Sequence, residues 1–136
     1  LVGESEANSP LFDFVYGSIE ALDAIDEGVA NFHLWFLANI SRFLGFAPGN
    51  EYTKDSFFDM REGLYTPVQP LHEKFCNREY AQLLNDLIEC DVQYLGEIGL
   101  NRTQSVDMLH ALTDYYALHL DSIRKVQSIS ILQQLF

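Results

Sequence analysis

TQSVDMLHALTDYYALHLDSIRKVQSISILQQLF, residues 103–136, decides how the chain is read, because neither proline nor glycine interrupts it. Leu109, Leu112, Tyr116, His119, Ile123 and Val126 recur alternately three and four residues apart, which puts them on one stripe of an α-helix. The stripe continues as Ile129, Leu132 and Phe136. A helix of about 30 residues spans roughly 45–50 Å. One that stays apolar to its end needs a mate, in a further segment or a second copy of itself.

Working back from that stretch, the pattern predicts helices elsewhere. Ser9 and Pro10 make a helix start. Leu11, Val15, Leu22, Ile25, Val29, Phe32, Phe36 and Phe43 then predict one long helix to about Phe46, with Ser18 and Asn39 interrupting the stripe and Gly17 and Gly28 as places for a bend. The turn cluster at 47–50 ends it. Asp55 or Ser56 is expected to cap a short helix carrying Phe57, Phe58 and Met60 and closed by Gly63. Thr66 and Gln69 read as a capping box around Pro67, opening a segment to Cys76 that Pro70 disturbs. Tyr80 through Leu95 forms the next amphipathic helix, stopping near Gly96 or Gly99, and Thr103 or Ser105 caps the last. No strand alternation is visible. The expected fold is all-α, a four-helix bundle with two long terminal helices and two shorter middle ones. Residues 1–136 read as a single domain, with 1–8 loose and 104–136 as the terminal helix.

Composition narrows the function. Twenty acidic side chains against eight basic ones give a net charge of −12, from which no nucleic-acid partner and no anionic lipid surface is expected. No run of 18 uncharged apolar residues occurs, so no membrane insertion is expected. Two cysteines make no disulfide framework, and a reducing, cytoplasmic location follows.

Candidate site residues are few. His119 lies on the stripe of the last helix beside Tyr116, and His33 neighbours Trp35 in the densest aromatic segment. His33, Trp35, Tyr116 and His119 are therefore the candidate ligand-contacting residues, against the plainer reading of satisfied core side chains. His72 and Cys76 are four apart, a spacing that lets an imidazole and a thiolate reach one metal on a helix face, and His110 and Asp114 share it. Zinc needs three or four such ligands, so no cofactor is expected and zinc is the alternative. No Glu-x-x-His, Gly-x-Ser-x-Gly or glycine-rich phosphate loop occurs, and no enzymatic activity is expected.

Residues 24–37, AIDEGVANFHLWFL, resemble the first helix of chemoreceptor zinc-binding domains, in which a metal-binding histidine precedes a tryptophan. Residues 111–116, ALTDYY, through Ile123, Arg124 and Lys125 resemble the last helix of such a domain where it leads into a diguanylate cyclase. Here one residue separates His33 from Trp35 where the family has two, and the family's cysteine segment is missing. The resemblance implies a cytoplasmic helical sensor domain that forms a homodimer, responds to a protein partner or small-molecule signal, and relays it through the C-terminal helix to an output enzyme. The alternatives are a free-standing acidic antagonist that binds a basic partner, and a small metal-binding helical protein.

Overall fold

A computed structural model describes residues 9–25 and 29–123. Its elements run α1 (Ser9–Ala24), α2 (Val29–Leu44), β1 (Phe57–Asp59), β2 (Leu64–Thr66), β3 (Phe75–Cys76), α3 (Arg78–Glu89), a 3-10 segment (Val92–Glu97) and α4 (Arg102–Ile123). The expectation of an all-α four-helix bundle is overturned by a three-stranded antiparallel sheet, ordered β2-β1-β3, inserted between α2 and α3.

The sheet stands where two short helices were expected, and turn chemistry explains the difference. Phe57, Phe58, Tyr65 and Phe75 suit a pleated, half-buried surface. The Asp59 carboxylate accepts the backbone N–H groups of Arg61 at 3.0 Å and Glu62 at 3.1 Å, and the Gly63 N–H donates to Asp59 O at 2.7 Å. Gly63 takes φ +69°, which only glycine enters freely. The chain therefore reverses after Asp59, and Phe58 pairs with Tyr65 on one side and Cys76 on the other. The Thr66 hydroxyl closes a local turn on Val68 N–H, so the expected capping box opens no helix.

The single long helix expected from 10 to 46 is two helices packed on each other. Phe14 of α1 stacks on Trp35, Phe36 and Phe43 of α2, with ring centroids 5.5, 5.5 and 4.9 Å apart. Both polar interruptions of the stripe face inward. Ser18 donates to Phe14 O at 2.6 Å, and Asn39 is 2% exposed. Helix α2 is the hub, touching α1, α3, α4 and the 3-10 segment.

The main core joins Trp35 and Ala38 of α2 to Phe58 and Tyr65 of the sheet, Leu84 and Leu87 of α3, and Met108, Leu112 and Tyr115 of α4. Helix α4 starts earlier than expected. Asn101 Oδ1 accepts Gln104 N–H at 2.8 Å while Gln104 Oε1 accepts Asn101 N–H at 3.0 Å, a reciprocal capping box. Its inward face is Met108, Leu112 and Tyr115, whereas Leu109 is 45% exposed, so the seam read from the sequence is rotated by about one residue. Ile129, Leu132 and Phe136 lie outside the described residues.

Candidate functional site

Helix α2 carries three side-chain donors at four-residue intervals, Asn31, Trp35 and Asn39, and all three point at one edge of the fold. Asn31 Nδ2 donates to Leu95 O at 3.2 Å and Ile98 O at 2.9 Å. Trp35 Nε1 donates to Cys90 O at 2.9 Å, and Asn39 Nδ2 to Leu87 O at 3.1 Å. The acceptors are main-chain carbonyls at the end of α3 and in the turns after it, which regular helix geometry leaves open. This zip fixes α2 against α3 and sets the walls of the groove between them. Two buried asparagines amid aromatic residues were the available signal, and reading Asn39 as an interruption missed it.

The ligand-contacting candidates do not converge on one cavity. His33 is exposed on the side of α2 away from Trp35, with its ring 6.2 Å from that of Phe32. The Tyr116 hydroxyl donates to Leu37 O at 2.7 Å. His119 Nε2 donates to Met60 O at 2.8 Å, and its ring stacks on Phe46 at 5.4 Å with an interplanar angle of 5°. Tyr116 and His119 thus meet around Phe46, while Trp35 belongs to the α3 side. Burial holds the Tyr116 phenol above its ordinary range.

The His72 and Cys76 pair is not on a helix. His72 Nδ1 accepts Lys74 N–H at 3.0 Å, which leaves the proton on Nε2 to bond Asp59 Oδ1 at 2.9 Å. Cys76 is buried on β3, and burial pushes its thiol up to about 12. Among the described residues no group of three or more His, Cys, Asp or Glu side chains is placed to hold a metal ion.

What the α2/α3 face offers is two adjoining hollows. One, of about 400 Å³, lies between the end of α2, the loop after it and α3, with Arg42, Glu51, Tyr65 and Glu89 in its wall. The other, of about 460 Å³, lies between α1, α2 and the end of α3, with Asp13, Trp35, Glu89 and Asp91. Arg42, Ile88 and Glu89 are common to both. Surfaces of this kind can hold a peptide or small ligand.

A mostly helical module with a small inserted sheet, whose exposed chemistry is a groove, is the class that these features define. Residues 1–128 match the family described as Recombination protein O C terminal, and the chain belongs to that family. Among curated proteins it is similar to the DNA repair protein RecO of Phocaeicola vulgatus, 37% identical over 134 residues that make up 98% of this chain and 56% of that protein. The DNA repair protein RecO of Bacteroides fragilis is 35% identical over 99% of this chain and 57% of its own length. That of Azobacteroides pseudotrichonymphae is 31% identical over 98% of this chain and 56% of its own length. The chain therefore spans a little over half the length of these relatives. No solved structure gives a significant match.

The family overturns the resemblance to chemoreceptor zinc-binding domains, and with it the sensory input domain and the relay to a diguanylate cyclase. Those readings rested on two amphipathic stretches with an aromatic-rich pattern that any buried helix pair can present. The exclusion of nucleic acid also falls, since the relatives are named DNA repair proteins. A net charge averaged over a whole chain does not describe any one face of it. No described helix is long and apolar enough to cross a membrane.

Proposed function

We propose that this chain is the docking part of a cytoplasmic DNA-repair protein that acts in recombination by binding, without catalysing a reaction itself. The observation that carries the reading is the family match over residues 1–128, and the curated relatives named for DNA repair support it. Two features of the fold agree with it. Trp35, Tyr116 and His119 use their polar atoms on main-chain carbonyls, and Tyr65, Cys76, Tyr115 and Tyr116 are held protonated by burial. Both free cysteines suit a reducing compartment. In this reading residues 1–136 work as one module with no resident cofactor, and stoichiometric zinc in freshly purified protein would overturn that part.

The test uses the full-length protein of the source organism. Fluorescence anisotropy with a single-stranded oligonucleotide is expected to show binding that weakens as salt rises. Deletion of the gene is expected to sensitise cells to ultraviolet light. Normal survival of the deletion strain together with no oligonucleotide binding would overturn the reading.

A further inference from the structure

The two hollows on the α2/α3 face form one groove with a marked imbalance of charge. Among the described residues, Asp13, Glu51, Glu89 and Asp91 line it against the single guanidinium of Arg42, which itself lies 5.2 Å from the centroid of the Phe43 ring. Trp35 and Ile88 add apolar surface to the second hollow, beside Ser18 and Asn39. Tyr65, also in the wall, is 5% exposed, and its buried hydroxyl has no hydrogen-bond partner. Both hollows fall within the roughly 300–1,000 Å³ range of ligand clefts.

We propose that this groove binds a basic segment of a partner protein, one in which lysine or arginine alternates with apolar residues. The carboxylates of Glu51 and Glu89 would take one cationic side chain, and those of Asp13 and Asp91 another. The apolar residues between them lie against Trp35 and Ile88. A guanidinium or ammonium N–H entering the first hollow is a suitable donor to the orphaned Tyr65 hydroxyl. A phosphate backbone is a poor occupant, because four carboxylates oppose it and one guanidinium attracts it. The inference rests on the reading of this chain as a docking module, and adds where the docking occurs and the chemistry it selects.

The experiment titrates the full chain with a fluorescein-labelled decapeptide of alternating arginine and leucine. Controls are a glutamate-leucine decapeptide and a single-stranded oligonucleotide. Trp35 is the sole tryptophan and lines the groove, so its emission reports occupancy without a label on the protein. Saturable binding of the basic peptide with a shift in Trp35 emission is expected, and no response to either control. Glu89→Gln and Asp13→Asn are each expected to weaken binding about tenfold. Glu62→Gln and Glu79→Gln remove the same charge away from the groove, Glu79 at the opposite end of α3 from Glu89, and are expected to change it less than about twofold. Equal weakening by all four variants would show attraction to net charge alone and overturn the proposal, as would saturation with unchanged Trp35 emission or binding of either control in the groove. Survival after ultraviolet damage is measured separately, so loss of the groove leaves the repair reading to its own result.

Discussion

Replacing Asn39 with alanine should loosen the contact between α2 and α3 more than its size suggests. Asn39 is 2% exposed and donates to Trp35 O at 2.9 Å and Leu87 O at 3.1 Å. Trp35 O lies one turn back in α2, where the regular ladder supplies it the backbone N–H of Asn39, so it loses only a second bond. Leu87 O is different. Helix α3 ends at Glu89, its ladder closes with Cys90 N–H on Asp86 O at 3.0 Å, and Asn39 serves the next carbonyl. Stranding that buried carbonyl costs about 1–3 kcal/mol. The small void left by the amide brings the total to about 2–3 kcal/mol. With a urea slope of about 1–3 kcal/mol/M, the midpoint should fall by roughly 1 M, read by Trp35 emission and far-ultraviolet circular dichroism together. Asn39→Asp keeps the shape but turns an acceptor toward Leu87 O. It should cost more at neutral pH and recover in part as pH falls, because a protonated carboxyl can donate again. A loss under about 0.5 kcal/mol for Asn39→Ala, or no recovery of Asn39→Asp in acid, would refute the capping role.

Three further outcomes follow from the sheet and its packing. The buried Cys76 thiol, pushed up to about 12, binds its proton more tightly in the folded chain than in the unfolded one. Stability is therefore full below about pH 9 and falls as pH rises toward 12, by about 1.4 kcal/mol per pH unit from this group. Cys76→Ala should make that alkaline limb shallower by one proton in urea melts, while buried Tyr65, Tyr115 and Tyr116, also raised, keep it from vanishing. Gly63→Ala should cost about 1–2 kcal/mol, since φ is +69° and the new Cβ would stand 3.2 Å from the Tyr115 hydroxyl oxygen. Asp59→Ala removes the acceptor of three hydrogen bonds in the hairpin and should cost about 1–2 kcal/mol by thermal melting, with Asp59→Asn retaining most of the stability through its remaining carbonyl.

The helices were legible because their apolar residues repeat at 3.6 and their ends carry recognisable chemistry. The start at Ser9 needed nothing beyond local pattern, whereas the run expected as one helix from Tyr80 through Leu95 ends at Glu89 and gives way to a separate 3-10 segment at Val92–Glu97. The break between α1 and α2 was not readable from periodicity. One stripe serves two antiparallel helices as well as one continuous rod, and Phe14 stacking on Phe43 is a fact of tertiary structure. The sheet was missed because its strands have three, three and two residues, too short for alternation to register. Its real signature is the Asp59-to-Gly63 turn, where one carboxylate takes two amides and a glycine adopts positive φ. The groove was invisible for a related reason. Asp13, Glu51 and the Glu89 and Asp91 pair come from three distant parts of the chain, and each alone is an ordinary solvated charge.

The proposal that this chain can do the work of the matching segment of its DNA-repair relatives is tested most directly by a chimera. Residues 1–136 replace the matching segment of the Bacteroides fragilis relative, which is 35% identical over 99% of this chain, and survival after ultraviolet exposure is counted in a strain lacking the native gene. Survival close to that of the intact relative is the expected result. Survival no better than the deletion, from a chimera that accumulates and melts cooperatively, would contradict it.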